Sequence, residues 1–357
     1  MKILITANVD ETNRRRLADE LDAEVDYRPI SDRETRLPES ELIDALDGVE
    51  IFLVGYEGIS EAVLDAADRL ELIACARGGP DANVNISAAT ERGIPVLYAP
   101  GRNAVSVADF TLGMILASAR HIAHGHHLLH TGVYTGEPVA DSASGGERED
   151  VTWGVSSGSP YAELKGPELE GKTLGIVGFG AIGREVTKRA RGFGVEILAF
   201  DPFVEDEEMP DDVRKVDLDA VCTRSDIVTI HCPVTDATRG LIGASEFEMM
   251  GEGTFFINTA RGAIIDQDAL IEQLRTGGIR GAALDVYDVE PLPDDHPLLN
   301  MDNVVTTPHL AGAAEEVIER HSKMLVDDIV AVHGGSAPDH VADDSVLPLA
   351  NPIGGDR

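Results

Sequence analysis

Apolar residues recur along the chain in two periods. Short apolar, β-branched runs at 2–6, 50–54, 70–75 and 95–98 read as buried strands, and helical patterns over 11–22, 39–47 and 86–92 lie around them. This is an α/β first region with a mostly parallel sheet. After the punctuation Pro100-Gly-Arg-Asn103, one long helical pattern runs from about Ala104 to His130, where Thr131-Gly132 stops it. Its broad apolar face suits a helix packed against more than one partner. Residues 132–162 are rich in Gly, Ser and acid and weakly periodic, so they read as an insertion, with Trp153 and Tyr161 placed to pin its far end. From Lys172 to Thr306 strands and helices alternate again, with strands expected at 173–177, 195–200, 227–231, 254–258, 281–285 and 303–306, a doubly wound sheet. A closing helix is expected over Glu315 to Val332, ended by Gly334-Gly335. The segment 336–357 is acidic, contains proline and has no pattern, which predicts a disordered tail. There is no internal repeat.

Lys172 to Asp201 changes this picture from architecture to chemistry. The strand Thr173–Val177 runs into Gly178-Phe-Gly180-Ala-Ile-Gly183, then a helical pattern, then a second apolar strand ending at Asp201. Gly178 suits the tight turn, Gly180 lets backbone approach a pyrophosphate, and Gly183 lets helix lie close to strand. The helix start offers free N–H groups and a partial positive charge to phosphates. Asp201 stands about 20 residues on, where a carboxylate meets a ribose 2′-hydroxyl. Taken alone a G-x-G-x-x-G is a weak signal; strand, glycines, helix, strand and acid in that order make a dinucleotide site.

Charge narrows the partners. The 357 residues carry 29 Lys+Arg against 64 Asp+Glu, a net −35, and the bases are mostly Arg. That argues against nucleic acid. It suits a salt-rich cytoplasm, where screening relieves self-repulsion, and so a halophilic source. Cys75, Cys222 and Cys232 are odd in number and lack metal-like spacing, which fits a reducing, cytoplasmic setting. No signal peptide and no membrane-spanning apolar run is evident.

Several reactive residues directly follow expected strands, where ligands sit in an open α/β sheet. His231-Cys-Pro233 follows one strand and Asn258-Thr-Ala-Arg261-Gly262 the next; Asp285 ends another, with Glu290 soon after, and His309 lies beyond 303–306. One Arg, one Glu and one His therefore arrive at the edge that holds the dinucleotide. Hydride transfer to a keto acid needs a cation for the carboxylate and carbonyl, and a His to give or take the proton. A carboxylate beside that His favours the imidazolium.

The chain here resembles the D-isomer-specific 2-hydroxyacid dehydrogenases, of the phosphoglycerate dehydrogenase-like kind. The resemblance covers roughly 45–333. It is carried by 169–183, by Thr238-Arg-Gly-Leu-Ile-Gly243, by Phe256-Ile-Asn-Thr-Ala-Arg-Gly-Ala-Ile-Ile-Asp266, by Leu284-Asp-Val-Tyr-Asp-Val-Glu-Pro291 and by Thr307-Pro-His-Leu-Ala-Gly312. It implies that Arg261 binds the substrate carboxylate and keto oxygen, that His309 is the acid/base and that Glu290 is its partner. It further implies Asp285 at the nicotinamide carboxamide, the backbone at Ala181-Ile182 on the pyrophosphate and Asp201 on the adenosine ribose, hence NAD rather than NADP. Cys232, Pro233, Thr238, Thr259 and Ala260 would line the cofactor cleft, where His309 also lies. The amides of Gly78 and Gly79, in the loop after Arg77, would grip the substrate carboxylate. The implied architecture is two Rossmann-like or flavodoxin-like doubly wound domains, the cofactor domain (104–308, carrying the 132–162 insertion) set within a substrate domain (1–103 plus 309–335). Hinges would lie near Pro100–Asn103 and His309, and the 104–130 helix would help form a homodimer.

Some residues stay with their plainer readings. His231, beside Pro233, is structural or supporting. His121, His124, His126, His127 and His130 form a solvated or interface face, with no acid or cysteine to complete a metal site. Cys232 lines the cleft; nothing near it suggests thiol catalysis. The loop Arg77–Asn85 departs from the common family form, which leaves the hydroxy acid open among phosphoglycerate, glyoxylate or hydroxypyruvate, lactate-type and sugar acids. A formate dehydrogenase is disfavoured because Glu290 stands where that branch carries Gln. The alternative from another class is an NADH-sensing binding protein similar to the C-terminal binding protein corepressors.

Overall fold

The structure is a computed structural model that describes residues 1–135, 157–347 and 353. It divides into two units. One comprises Met1–Asn103 and Ala313–Arg357, and the other, Ala104–Gly312, is set within it along the chain.

The first unit contains β1 (Lys2–Ile5), α1 (Glu11–Leu21), β2 (Glu24–Tyr27), α2 (Glu39–Ala45), β3 (Ile51–Val54), α3 (Glu61–Ala66), β4 (Leu72–Cys75), α4 (Ile86–Glu91) and β5 (Val96–Tyr98). The strands form a parallel sheet in the order β2-β1-β3-β4-β5. Alternate residues of these strands feed two cores, as the period of two requires. Leu4, Phe52, Val54 and Ile73 meet Leu42, Val63, Leu64 and Ala88 on one face. Ile3, Ile5, Ile51, Leu53 and Leu72 meet Leu17 and Leu21 of α1 on the other. Caps fix where helices start: Asp10 accepts from Asn13 N–H at 3.0 Å, and Ser60 from Val63 N–H at 3.3 Å. β2 has no buried residue, which is why hydrophobic pattern does not reveal it.

The second unit contains α5 (Ala104–Ala119), α6 (Ile122–His130), α7 (Pro160–Glu163), β6 (Thr173–Val177), α8 (Ala181–Ala190), β7 (Glu196–Phe200), β8 (Val213–Lys215), α9 (Leu218–Arg224), β9 (Ile227–Ile230), α10 (Ala244–Met249), β10 (Phe255–Asn258), α11 (Gln267–Thr276), β11 (Gly281–Leu284) and β12 (Val304–Thr306). Its seven strands run parallel in the order β12-β11-β10-β9-β6-β7-β8, so the order reverses between β9 and β6. One face is covered by α5 and α8 through Ala108, Leu112, Ile115, Val186 and Ala190. The other is covered by α9, α10 and α11 through Val221, Phe247, Leu270 and Leu274.

The chain then returns to the first unit as α12 (Glu316–His333), whose Leu325, Val326 and Ile329 join the core beside α1.

Three expectations are corrected. The long helix 104–130 is two helices. Helix α5 is buried over much of its surface and α6 has no buried residue, and between them His121 takes a left-handed φ of 53°. A change of environment ends α5, with no Gly or Pro to announce it. The second unit extends to Gly312, so His309 belongs to it. The expected disordered tail is ordered over its first part: Tyr98 N–H donates to His340 O at 3.3 Å, Ala342 N–H to Val96 O at 2.8 Å, and Val341 bridges Leu97 antiparallel. Asp328, nearly buried, accepts from Asp339 N–H at 2.7 Å and pairs with His340 Nδ1 at 2.9 Å. The tail thereby occupies the otherwise open edge of β5. The centre of the 132–162 insertion lies outside the described residues.

Candidate functional site

The turn after β6 is shaped by what a side chain would strike. Gly178 has φ 95°, and a Cβ there would lie 2.6 Å from Cys232 N. At Gly183 a Cβ would overlap Gly178 O, so α8 can start close to the strand only with glycine there. At Gly180, the N-cap of α8, a Cβ meets nothing within 4 Å. The two outer glycines therefore serve internal packing, and the middle one faces open space at the helix start. The residues fit a pyrophosphate on the amides of Ala181 and Ile182. Asp201, after β7, accepts from Phe179 N–H at 2.8 Å and Phe203 N–H at 2.9 Å. Each oxygen keeps a lone pair for a further donor.

Across the switch point, His231 follows β9 and is buried, its Nε2 3.0 Å from Thr229 Oγ1 and its Nδ1 without a partner. Burial pushes it down to about 3, so the ring is neutral and structural. Burial likewise pushes the Cys232 thiol up to about 11, which leaves no thiolate for chemistry. Thr238 donates to Pro233 O at 2.6 Å and accepts from Thr235 N–H at 2.7 Å, closing the next loop on itself. Thr259 is buried: Thr111 gives its hydroxyl proton to Val107 O at 2.7 Å, so Thr259 donates to Thr111 at 2.9 Å and its side chain points into the unit.

Arg261 stands on a turn that Asn258 locks. The Asn258 side chain, fully buried at the end of β10, accepts from Ala260 N–H and donates to Arg261 O, both at 3.0 Å. Arg261 itself is exposed and extended, with Nη1 donating to Ala260 O at 2.6 Å. Among the described residues no carboxylate pairs with it.

His309 depends on Asp285. This carboxylate is 0% exposed at the end of β11. Its Oδ1 accepts from Thr307 Oγ1 at 2.6 Å and Leu310 N–H at 2.8 Å, and its Oδ2 from Ala311 N–H at 2.8 Å. Both oxygens thus bond the loop around His309, and Oδ2, with one donor, keeps a lone pair for a further one such as the nicotinamide carboxamide expected there. His309 sits in the left-handed region at φ 56°, and its N–H donates to Asp285 O at 2.9 Å. Strain of that kind persists only where the surroundings over-determine it. The ring meets Glu290: Nδ1 to Oε2 is 2.7 Å, with both side chains part-exposed. Glu290 Oε1 accepts from Tyr287 N–H at 3.0 Å. Tyr287 supports the same corner, its hydroxyl donating to carbonyls of Leu284 and Thr307 at 2.9 and 3.0 Å, and burial pushes it up to about 12.

The second unit thus collects Gly178, Gly180, Ala181, Ile182, Gly183, Asp201, Cys232, Pro233, Thr238, Thr259, Ala260, Arg261, Asp285, Glu290 and His309 on its strand C-termini and the loops beyond them. Gly78 and Gly79 lie on the first unit, after β4. Their N–H groups donate to no acceptor among the described residues. The supporting roles of Asn258, Thr307 and Tyr287 had no sequence signal beyond their closeness to the reactive residues. The histidines of α6 build no group able to hold a metal among the described residues.

Comparison with known proteins agrees with this geometry. Residues 112–311 match the family described as D-isomer specific 2-hydroxyacid dehydrogenase, NAD binding domain. The D-3-phosphoglycerate dehydrogenase of Archaeoglobus fulgidus is 38% identical over 84% of this chain and 53% of its own length. The hydroxypyruvate reductase of Thermotoga maritima is 38% identical over 82% of this chain and 88% of its own. The chain spans about half the length of the phosphoglycerate dehydrogenases it matches. Among solved structures, the TT0316 protein from Thermus thermophilus superposes with a TM-score of 0.79 at 32% identity, covering 96% of this chain and all of that one. With a dinucleotide turn, an unpaired arginine and a glutamate-bound histidine on one sheet edge, the chain belongs to the D-isomer-specific 2-hydroxyacid dehydrogenase family.

Proposed function

We propose that the protein is an NAD-dependent D-2-hydroxyacid dehydrogenase, equivalently a 2-keto acid reductase. The observation that carries this reading is the 2.7 Å contact between His309 Nδ1 and Glu290 Oε2, placed on the edge that holds the dinucleotide turn and Arg261. A ring that gives Nδ1–H to a carboxylate turns Nε2 outward as the atom that exchanges the proton. Bound NADH supplies the hydride. Protonated His309 donates to the developing alkoxide, and Glu290 stabilises the imidazolium before transfer. Arg261 holds the substrate carboxylate and polarises the carbonyl, and on the first unit the Gly78 and Gly79 amides, without acceptors among the described residues, are donors of the kind that a carboxylate takes. Asp285 holds the Thr307–Ala311 loop so that the ring stays aligned. Asp201 repels a 2′-phosphate, which favours NAD over NADP.

Relatives named D-3-phosphoglycerate dehydrogenase, hydroxypyruvate reductase and glyoxylate reductase support small 2-hydroxy acids as the substrate class. The exposed Ile122, Leu129 and Val133 on and after α6 support a homodimer that covers them. The net charge of −35 supports a salt-rich cytoplasm.

NADH oxidation is to be followed with glyoxylate, hydroxypyruvate and pyruvate in dilute and concentrated salt, and repeated with NADPH. Turnover with NADH, much weaker with NADPH, is expected. No turnover at any salt concentration overturns the enzyme reading in favour of a dinucleotide sensor. Equal kcat/KM with both cofactors removes the role given to Asp201. Full activity in dilute buffer removes the halophilic assignment.

A further inference from the structure

The strands of the second unit all run parallel, so their starts share one edge, opposite the edge that carries the dinucleotide turn. Lys172 stands just before β6, Asp226 just before β9 and Arg280 just before β11, and Phe255 opens β10. These four residues line one cavity of about 90 Å³. At about 3.3 Å per residue, the strands put roughly 13–17 Å between this edge and the loops that carry Gly180 and Arg261. The cavity therefore takes no part in the hydride transfer proposed above.

Its floor is apolar and buried, made by Ala119 at the end of α5 and by Leu169, Ile227 and Phe255. One wall is tight: a Cβ at Gly166 would lie 1.9 Å from Ala119 O, so the chain before Leu169 lies directly against the end of α5. Two further lining residues, Arg280 and Glu168, are charged and exposed. The Arg280 guanidinium lies 5.5 Å from the Phe255 ring centroid, and its backbone N–H donates to Thr254 O at 2.9 Å. Among the described residues neither Arg280 nor Glu168 has an ion-pair partner, and they do not pair with each other. The other carboxylate of the cavity is taken. Asp226 Oδ1 accepts from Lys172 Nζ at 3.1 Å and its Oδ2 from Thr173 N–H at 2.9 Å. The Arg280 charge is felt at the break between α5 and α6, where burial first and Arg280 second hold His121 below its ordinary value.

A cation and a carboxylate that line one apolar cavity without bonding each other are both satisfied by a ligand with the opposite pair of charges. A simple carboxylate would leave Glu168 facing it, and a simple amine would leave Arg280 facing it. We propose that this cavity binds a small aliphatic α-amino acid, with its carboxylate on Arg280, its ammonium on Glu168 and its side chain on Leu169, Ile227 and Phe255. A cavity of about 90 Å³ is smaller than the ~150 Å³ that admits benzene, so an isopropyl group fits it and an aromatic ring does not.

Calorimetric titration of the full chain at constant ionic strength tests this. L-valine is compared with isovalerate, isobutylamine and glycine, which lack in turn its ammonium, its carboxylate and its isopropyl group. L-valine is expected to bind once per chain and at least tenfold more tightly than each of the three. Arg280→Met weakens it about tenfold or more, as loss of a charge-assisted hydrogen bond does. Glu168→Gln weakens it severalfold, and NADH affinity is unchanged in both variants. Absence of L-valine binding overturns the site, as it would if a second copy of the chain covered the cavity. Equal affinity for L-valine and isovalerate overturns it too, because Glu168 then holds no ammonium. Competition between L-valine and NADH puts the amino acid elsewhere and overturns the assignment, as does unchanged L-valine affinity in Arg280→Met. If Arg280→Met does not fold, as judged by circular dichroism, Glu168→Gln decides by the same titration, and an unchanged affinity there overturns the proposal. Binding is read directly, so each result holds whether or not the chain reduces keto acids.

Discussion

At the scale of single residues, the proposed chemistry rests on three side chains whose placement is far more specific than their identity. That an arginine, a glutamate and a histidine follow strands of one sheet could be read from the chain. That His309 would take φ 56° and be gripped from behind by Asp285 could not. Nor could the chain show that the Asp285 carboxylate is fully buried and bonded to the loop around His309, because that depends on the loop's return onto β11. The roles predict separable kinetics. His309→Ala lowers kcat by about 100-fold or more, as loss of a general acid does, with NADH affinity nearly unchanged. Glu290→Gln keeps a hydrogen-bonding partner for Nδ1 but removes the charge, so its kcat loss is smaller. Arg261→Ala raises KM and lowers kcat together, because the carboxylate and the carbonyl both lose their cation. Steady-state kinetics with an NADH fluorescence titration read all three, and an unchanged kcat/KM in His309→Ala or Arg261→Ala removes that residue from the mechanism.

At the scale of elements, legibility followed burial. Strands buried on both faces, such as β3, β4, β9 and β10, stand out as apolar runs. Edge strands β2 and β8 are short and largely polar or charged, and only their pairing makes them strands. The break between α5 and α6 was invisible for a related reason: apolar periodicity continues through it while the surroundings change from core to solvent. The glycine turn is where element and chemistry meet, and its glycines divide into two kinds. Gly178→Ala or Gly183→Ala forces a Cβ against backbone, and at Gly178 against a positive φ as well. Each is expected to destabilise the second unit by about 1–3 kcal/mol. Gly180→Ala meets open space, so the melting temperature holds while the added methyl obstructs the dinucleotide. Thermal melts alongside NADH titrations separate the cases. Undiminished NADH affinity in Gly180→Ala would mean the pyrophosphate does not pass there.

At the scale of the whole molecule, each unit buries one neutral histidine, and this ties both units to pH in the same direction. His321 in the first unit is held down at about 4, and His231 in the second at about 3, each against an ordinary 6.5. Below pH 6.5 the unfolded chain binds a proton at each histidine that the folded unit refuses. Their contribution is therefore fully present above 6.5 and is lost as pH falls toward the folded values. Each site takes up close to one proton on unfolding across pH 6 to 5, which costs its unit about 1.4 kcal/mol of stability per pH unit. The opposing whole-chain effect is relief of self-repulsion as the net −35 shrinks. That needs carboxylates to protonate, and most do so nearer pH 4, so between 6.5 and 5 the histidines dominate. Denaturant unfolding at pH 7.5, 6.5 and 5.5 is expected to be nearly level over the first step and to lose stability over the second. A flat profile from 6.5 to 5.5 would mean that one or both rings are open to protons, and that the burial of His321 or His231 does not hold that ring neutral.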